Sequence, residues 1–182
     1  MKNLLTSFSV LALLCACSGD SSNTQANSSP SHTAGNAVQT VLAGLDPALD
    51  PESTTYRSLD NRALDLQVFA GKKIFVNFWA TWCAPCIEEI PSINRAAAML
   101  EDENFVFLLA SDEDIETISF FLEDRGFEGN FIKLNPYFGA YGISAVPSSI
   151  LVDESGEIVK SWIGAFEWDS PEMIAEIRSP VE

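Results

Sequence analysis

Histidine is almost missing: His32 is the only one in 182 residues, and it lies in a polar stretch. Its scarcity excludes Ser-His and Cys-His nucleophilic triads from the folded part, along with histidine-ligated zinc, copper and iron sites. Basic residues are also few, 10 against 26 acidic ones, for a formal net charge of −16. Nucleic acid is excluded as a partner on that ground, because phosphate binding needs clustered Lys and Arg. The acidic excess suits a solvated surface, with basic protein partners as the alternative. Long apolar runs are lacking too. The longest, residues 4–14, falls short of the ~20 residues a bilayer-spanning helix needs. Chemistry in the folded part must therefore come from Cys, Asp, Glu, Ser, Tyr or Lys.

The four cysteines are Cys15, Cys17, Cys83 and Cys86. Residues 1–16 read as a secretory signal, with Lys2 ahead of the short apolar run. Leu14-Cys15-Ala16-Cys17 resembles the bacterial lipoprotein box, which implies cleavage before Cys17 and lipidation of that residue. Cys15 fits less well, because bulky Leu14 would precede it. The alternative is an ordinary signal peptide that leaves Cys17 as a spare thiol. Ser18 leans toward the outer membrane, since an Asp there often marks the inner one. Residues 17–40, rich in Ser, Asn, Thr and Ala, carry no apolar periodicity and read as a flexible tether. The folded domain is expected over 41–182, with 41–58 hard to assign.

Residues 59–66 suggest a β-hairpin extension turning at Asp60-Asn61. Ile74-Phe75-Val76-Asn77-Phe78-Trp79 is a strand-forming run suited to a centre covered on both faces. A helix is expected from Cys83, with Cys86, Ile90, Ile93, Ala97 and Leu100 on its buried face. A second strand follows over 105–110. Ile115, Ile118, Phe121 and Leu122 mark a second helix, stopped at Gly126. A short strand over 131–134 precedes a Pro136-led helical turn through Tyr141. Residues 149–152 and 158–163 flank a hairpin signal, and 171–178 read as a closing helix. Such alternation ending in a hairpin implies an α/β fold, a mixed central sheet with helices on both faces.

Cys83-x-x-Cys86 straddles the strand-to-helix junction. One helical turn brings the two sulfurs within bonding reach. Cys83 sees unpaired backbone N–H groups and the positive end of the helix dipole, which favour its thiolate, the attacking species. Cys86, deeper in the turn, is placed to resolve a mixed disulfide. A zinc site would need two more ligands that the domain lacks, and a static disulfide closing so short a loop would add little stability. Glu89 lies three residues beyond Cys86 on the same helical face. A carboxylate there opposes thiolate formation and can relay a proton, the alternative being a solvated surface acid. Glu88 points elsewhere and reads as surface.

Asn77-Phe78-Trp79-Ala80-Thr81-Trp82-Cys83-Ala84-Pro85-Cys86 resembles the active-site stretch of the thioredoxin superfamily, and within it the TlpA/ResA-like, membrane-tethered thiol–disulfide oxidoreductases. Pro91 matches the family's helix-kinking proline. Val146-Pro147 resembles the cis-proline element beside the dithiol, where partner backbone pairs. Glu89-Ile90-Pro91 resembles the Glu-x-Pro of the tethered group. The similarity runs over 59–177. It implies the thioredoxin fold, catalysis by Cys83 and Cys86 with Glu89 tuning them, and a partner surface formed by Trp82, Val146 and Pro147. Trp79 is expected in the core. Asn77 stands where cytoplasmic thioredoxins carry a buried acid, which leaves the proton work to Glu89. Pro85 stands where strongly oxidising relatives carry His, which points to a reductase. Ser148 replaces the Thr that usually follows the proline.

The expected activity is reduction of disulfides in exported proteins, with electrons from a membrane thiol donor. Family targets include apocytochrome c thiols and copper-site cysteines of respiratory oxidases. The expected location is the cell envelope, lipid-anchored and facing the periplasm. No metal and no cofactor beyond the Cys83–Cys86 disulfide is expected. The alternatives are a thiol peroxidase, which needs an isolated Cys in a Thr/Pro-rich loop, a Cu(I)-binding lipoprotein, or a binding lipoprotein with an inert dithiol.

Overall fold

The computed structural model describes residues 55–179. The signal, Cys17 and the tether lie outside them, as does most of 41–58. β1 (Tyr56–Ser58) and β2 (Ala63–Leu64) form a hairpin about the expected Asp60-Asn61 turn, its first strand lying ahead of the expected residues 59–66. Its turn is closed by Ser58 N–H to Arg62 O at 2.9 Å, with Asn61 left-handed at φ 65°. Asparagine tolerates that conformation better than most residues.

β3 (Lys73–Phe78), β4 (Phe105–Ser111), β5 (Phe131–Leu134), β6 (Ser148–Val152) and β7 (Ile158–Ile163) complete a seven-stranded sheet of order β2-β1-β5-β4-β3-β6-β7. β3, β4 and β5 are parallel to their neighbours in that set, while β6 runs antiparallel to β3. Parallel pairs need crossovers. α1 (Ala84–Met99) links β3 to β4, α2 (Ile115–Arg125) links β4 to β5, and α3 (Pro171–Arg178) closes the chain.

Strand alternation sorts the core into two clusters. Phe75, Phe107, Leu109 and Leu151 meet Ile90 and Ile93 of α1, Ile118 of α2 and Ile174 and Ile177 of α3. Ile74, Val76, Phe78, Val106 and Leu108 lie on the other side, under Leu64, Phe69 and Phe138. The three α-helices pack on one face, and the helical cover of the other comes from the 3-10 segments Leu66–Phe69 and Phe138–Tyr141. Each fully buried large side chain contributes roughly 1.5–3 kcal/mol through desolvation.

Two local expectations shift. Ala96, not Ala97, is fully buried on α1. The turn after β5 starts at Phe138 rather than Pro136, with Phe138 N–H donating to Asp112 Oδ2 at 3.0 Å. Among the described residues no helix is long and apolar enough to cross a membrane.

Candidate functional site

Alternation along β3 puts Asn77 on the face that carries α1, and β6 pairs Ser149 with it. Beyond Phe78 the chain leaves the sheet. Trp79 turns into the core at 0% exposure, as expected from its sequence context. Thr81 is fixed from the β4 side: its N–H donates to Glu113 Oε2 and its hydroxyl to Glu113 Oε1, both at 2.7 Å. Trp82, next in line, is 71% exposed. Cys83 then caps α1, with Pro85 in the first turn, where a missing N–H costs nothing.

Cys83 and Cys86 are joined as a disulfide, their Cα atoms 5.3 Å apart. The Cys86 N–H donates to Cys83 Sγ at 3.3 Å, so the sulfur occupies the acceptor position of a helix N-cap. Cys83 keeps 5% exposure and Cys86 none. The residue expected to attack is therefore the more exposed of the two. Glu88 is exposed, as read from the sequence.

Glu89 is buried on the inner face of α1. Its Oε1 accepts from Asn77 Nδ2 at 2.8 Å, and its Oε2 from Phe166 N–H at 3.1 Å and Trp168 Nε1 at 2.9 Å. Asn77 Nδ2 also donates to Ser149 Oγ at 3.0 Å. Burial pushes the Glu89 carboxyl above the ordinary carboxylate range, and the Phe166, Asn77 and Trp168 donors pull it part of the way back. A surface role for Glu89 is excluded by this setting.

Val146–Pro147 is a cis peptide and enters β6, where Ser148 sits opposite Phe78, the last residue of β3. That register brings the proline segment to the same end of the sheet as the dithiol. Pro147 O accepts from Gly164 N–H at 2.9 Å, and Ser148 Oγ donates to Ala145 O at 2.7 Å. Cys83, Cys86, Glu89, Trp82, Val146 and Pro147 are all within the described residues; Cys17 is not.

Three parts of the site carry no signal in the sequence. Phe166 and Trp168 lie in an aperiodic stretch after β7, and Glu113 sits within an acidic run that reads as solvated surface.

Residues 34–177 match the model of the Redoxin family. A thiol-disulfide oxidoreductase ResA of Bacillus thuringiensis (strain Al Hakam) is 31% identical over 58% of this chain and 63% of its own length. The chain thus spans less than two thirds of that relative. A ResA of Halalkalibacterium halodurans is 29% identical over 67% of this chain and 71% of its own. Among solved structures, a thiol:disulfide interchange protein of Chlorobium tepidum TLS superposes with a TM-score of 0.55 at 24% identity, covering 66% of this chain and 90% of that one. The likeness to that structure shows the shared fold.

Proposed function

The chain belongs to the Redoxin family within the thioredoxin superfamily, and from that premise we propose that it is a thiol–disulfide oxidoreductase that reduces disulfides in exported proteins. The observation that carries this reading is the Cys83–Cys86 disulfide at the start of α1, with Cys83 Sγ accepting the Cys86 N–H.

In the reduced enzyme, the Cys83 thiolate attacks one sulfur of a partner disulfide. The partner's S–S bond breaks, its other sulfur leaves as a thiolate that takes up a proton, and a mixed disulfide forms at Cys83. The Cys86 thiol then gives its proton to Glu89, and its thiolate attacks Cys83 Sγ. The Cys83–Cys86 bond forms as the mixed disulfide breaks, and the second partner sulfur leaves as a thiolate that takes up a proton. Two electrons pass from the dithiol to the partner. A membrane thiol donor restores the dithiol. Trp82 and the Val146-Pro147 segment hold the partner backbone beside Cys83. Pro85 gives the Cys83 thiolate no cationic neighbour, which biases the couple toward reduction of partners.

The site works in the cell envelope, tethered through lipid on Cys17 and facing the periplasm. The named relatives, thiol-disulfide oxidoreductases and interchange proteins, support the chemistry. Cytochrome c thiols or oxidase copper-site cysteines are the proposed targets.

The test is Cys86→Ser in cells. Mixed disulfides should accumulate at Cys83, with exported proteins as the captured partners. If none accumulates while the parent dithiol stays oxidised, the reductase reading fails.

A further inference from the structure

The segment after β7 starts at Gly164, bonded to Pro147, and runs inward to Trp168, which is 0% exposed. It is fastened to α1 at several points. Trp168 N–H donates to Ser92 Oγ at 3.1 Å, and Ser92 Oγ donates to Glu89 O at 2.8 Å. Outside, Arg95 of α1 pairs with Asp169 and, at 2.7 Å, with Glu167. Inside, the Trp168 ring lies edge-on to Phe75 at 4.7 Å and to Trp162 at 5.5 Å. The indole cannot swing away from Glu89 without opening the core.

An indole N–H can only donate, and an ionised carboxylate can only accept. The 2.9 Å bond from Trp168 Nε1 to Glu89 Oε2 therefore favours the anion. Few charged or titratable groups of the surrounding elements face Glu89: Glu88 of α1 and Glu172 of α3 are exposed, while Lys73 of β3 and Glu176 and Arg178 of α3 pair with Glu154, Lys160 and Glu103. α1 contributes Cys83, Cys86 and Arg95. The post-β7 segment contributes Glu167 and Asp169, both engaged with Arg95 at the surface. β3 and β6 present neutral Asn77 and Ser149, and α3 presents Ile174 and Ile177. Among the described residues no cation pairs with the carboxylate, so burial raises its proton affinity and its neutral donors alone oppose that rise.

We propose that Trp168 is a positioning residue for the dithiol reaction: its indole N–H keeps Glu89 a carboxylate in place to accept the Cys86 proton. This rests on the reading of Glu89 as proton acceptor. The proton leaves Cys86 Sγ and binds a Glu89 oxygen, and the Trp168 bond weakens as it arrives. Loss of the indole donor should raise the proton affinity of Glu89 and slow the resolving step.

The test uses the intact chain labelled with 15N-tryptophan, its Trp168 indole signal assigned through contacts to Phe75 and Phe166. That signal should shift with pH, and the shift should vanish in Glu89→Gln. In parallel, Trp168→Phe should move the pH midpoint of mixed-disulfide resolution upward and slow resolution at neutral pH about tenfold. An indole signal indifferent to pH, or still titrating in Glu89→Gln, overturns the proposal even where Trp168→Phe does not fold. A resolution midpoint unmoved by Trp168→Phe but abolished by Glu89→Gln overturns the Trp168 role alone. A profile unchanged by Glu89→Gln removes the proton-acceptor reading, and the proposal falls with it.

Discussion

Asn77 donates its amide N–H to Glu89 Oε1 at 2.8 Å, tying the central strand to the dithiol helix inside the core. Its own Oδ1 is buried with no hydrogen-bond partner. The amide thus serves the carboxylate at some cost to itself. That arrangement makes Glu89 the most informative residue to change.

Burial holds the Glu89 carboxyl above its unfolded value. The folded state therefore binds that proton more tightly, and its stability rises as pH falls through the folded pKa. Above that pH a buried charge is maintained at a cost. Glu89→Gln removes it, and rotation of the Asn77 amide gives the new NH2 a partner at Oδ1. The disulfide form of Glu89→Gln should gain stability over the parent at neutral pH, with the gain fading toward acid. Urea titrations between about pH 4 and pH 8 measure this. Parallel curves for the two proteins would contradict it.

Trp82 and Trp79 should separate docking from stability. Trp82 is 71% exposed, so Trp82→Ala should change stability by no more than about 0.5 kcal/mol. Insulin-disulfide reduction should slow several-fold, while reaction with a small disulfide stays near the parent rate. Trp79 is fully buried, packed 5.2 Å from Phe131 and 5.7 Å from Phe121. Trp79→Ala should cost about 3–5 kcal/mol.

Glu113 anchors the loop that leads into Cys83 through two bonds to Thr81. Glu113→Ala leaves the Thr81 N–H without its acceptor and should cost about 1–3 kcal/mol. Hydrogen exchange at the Thr81 amide should quicken markedly, with α3 unaffected. An unchanged Thr81 amide would show that the loop holds without the clamp.

Local signals carried the elements into view, and distance hid the rest. Pro171 at the start of α3, the Asp60-Asn61 turn and the Cys83 cap each act within one turn of chain, so their residues announce them. The displaced turn at Phe138 depends on Asp112, 26 positions away. The Glu89 setting was legible only in half. Its helical face followed from spacing with Cys86, whereas Phe166 and Trp168 reach it from 77 and 79 positions away, with no periodicity to mark them. Glu113 was hidden differently, because a solvated acid and a loop clamp look the same in a charged run.

Catalysis at this site depends on Cys83 ionising where α1 begins while Cys86 stays covered. Alkylation of the reduced chain across pH, with each labelled peptide identified by mass, measures this directly. Cys83 should react first, with a midpoint below the ~8.5 of a free thiol, and Cys86 should lag behind it. Equal reactivity of the two thiols, or prior labelling of Cys86, would contradict it.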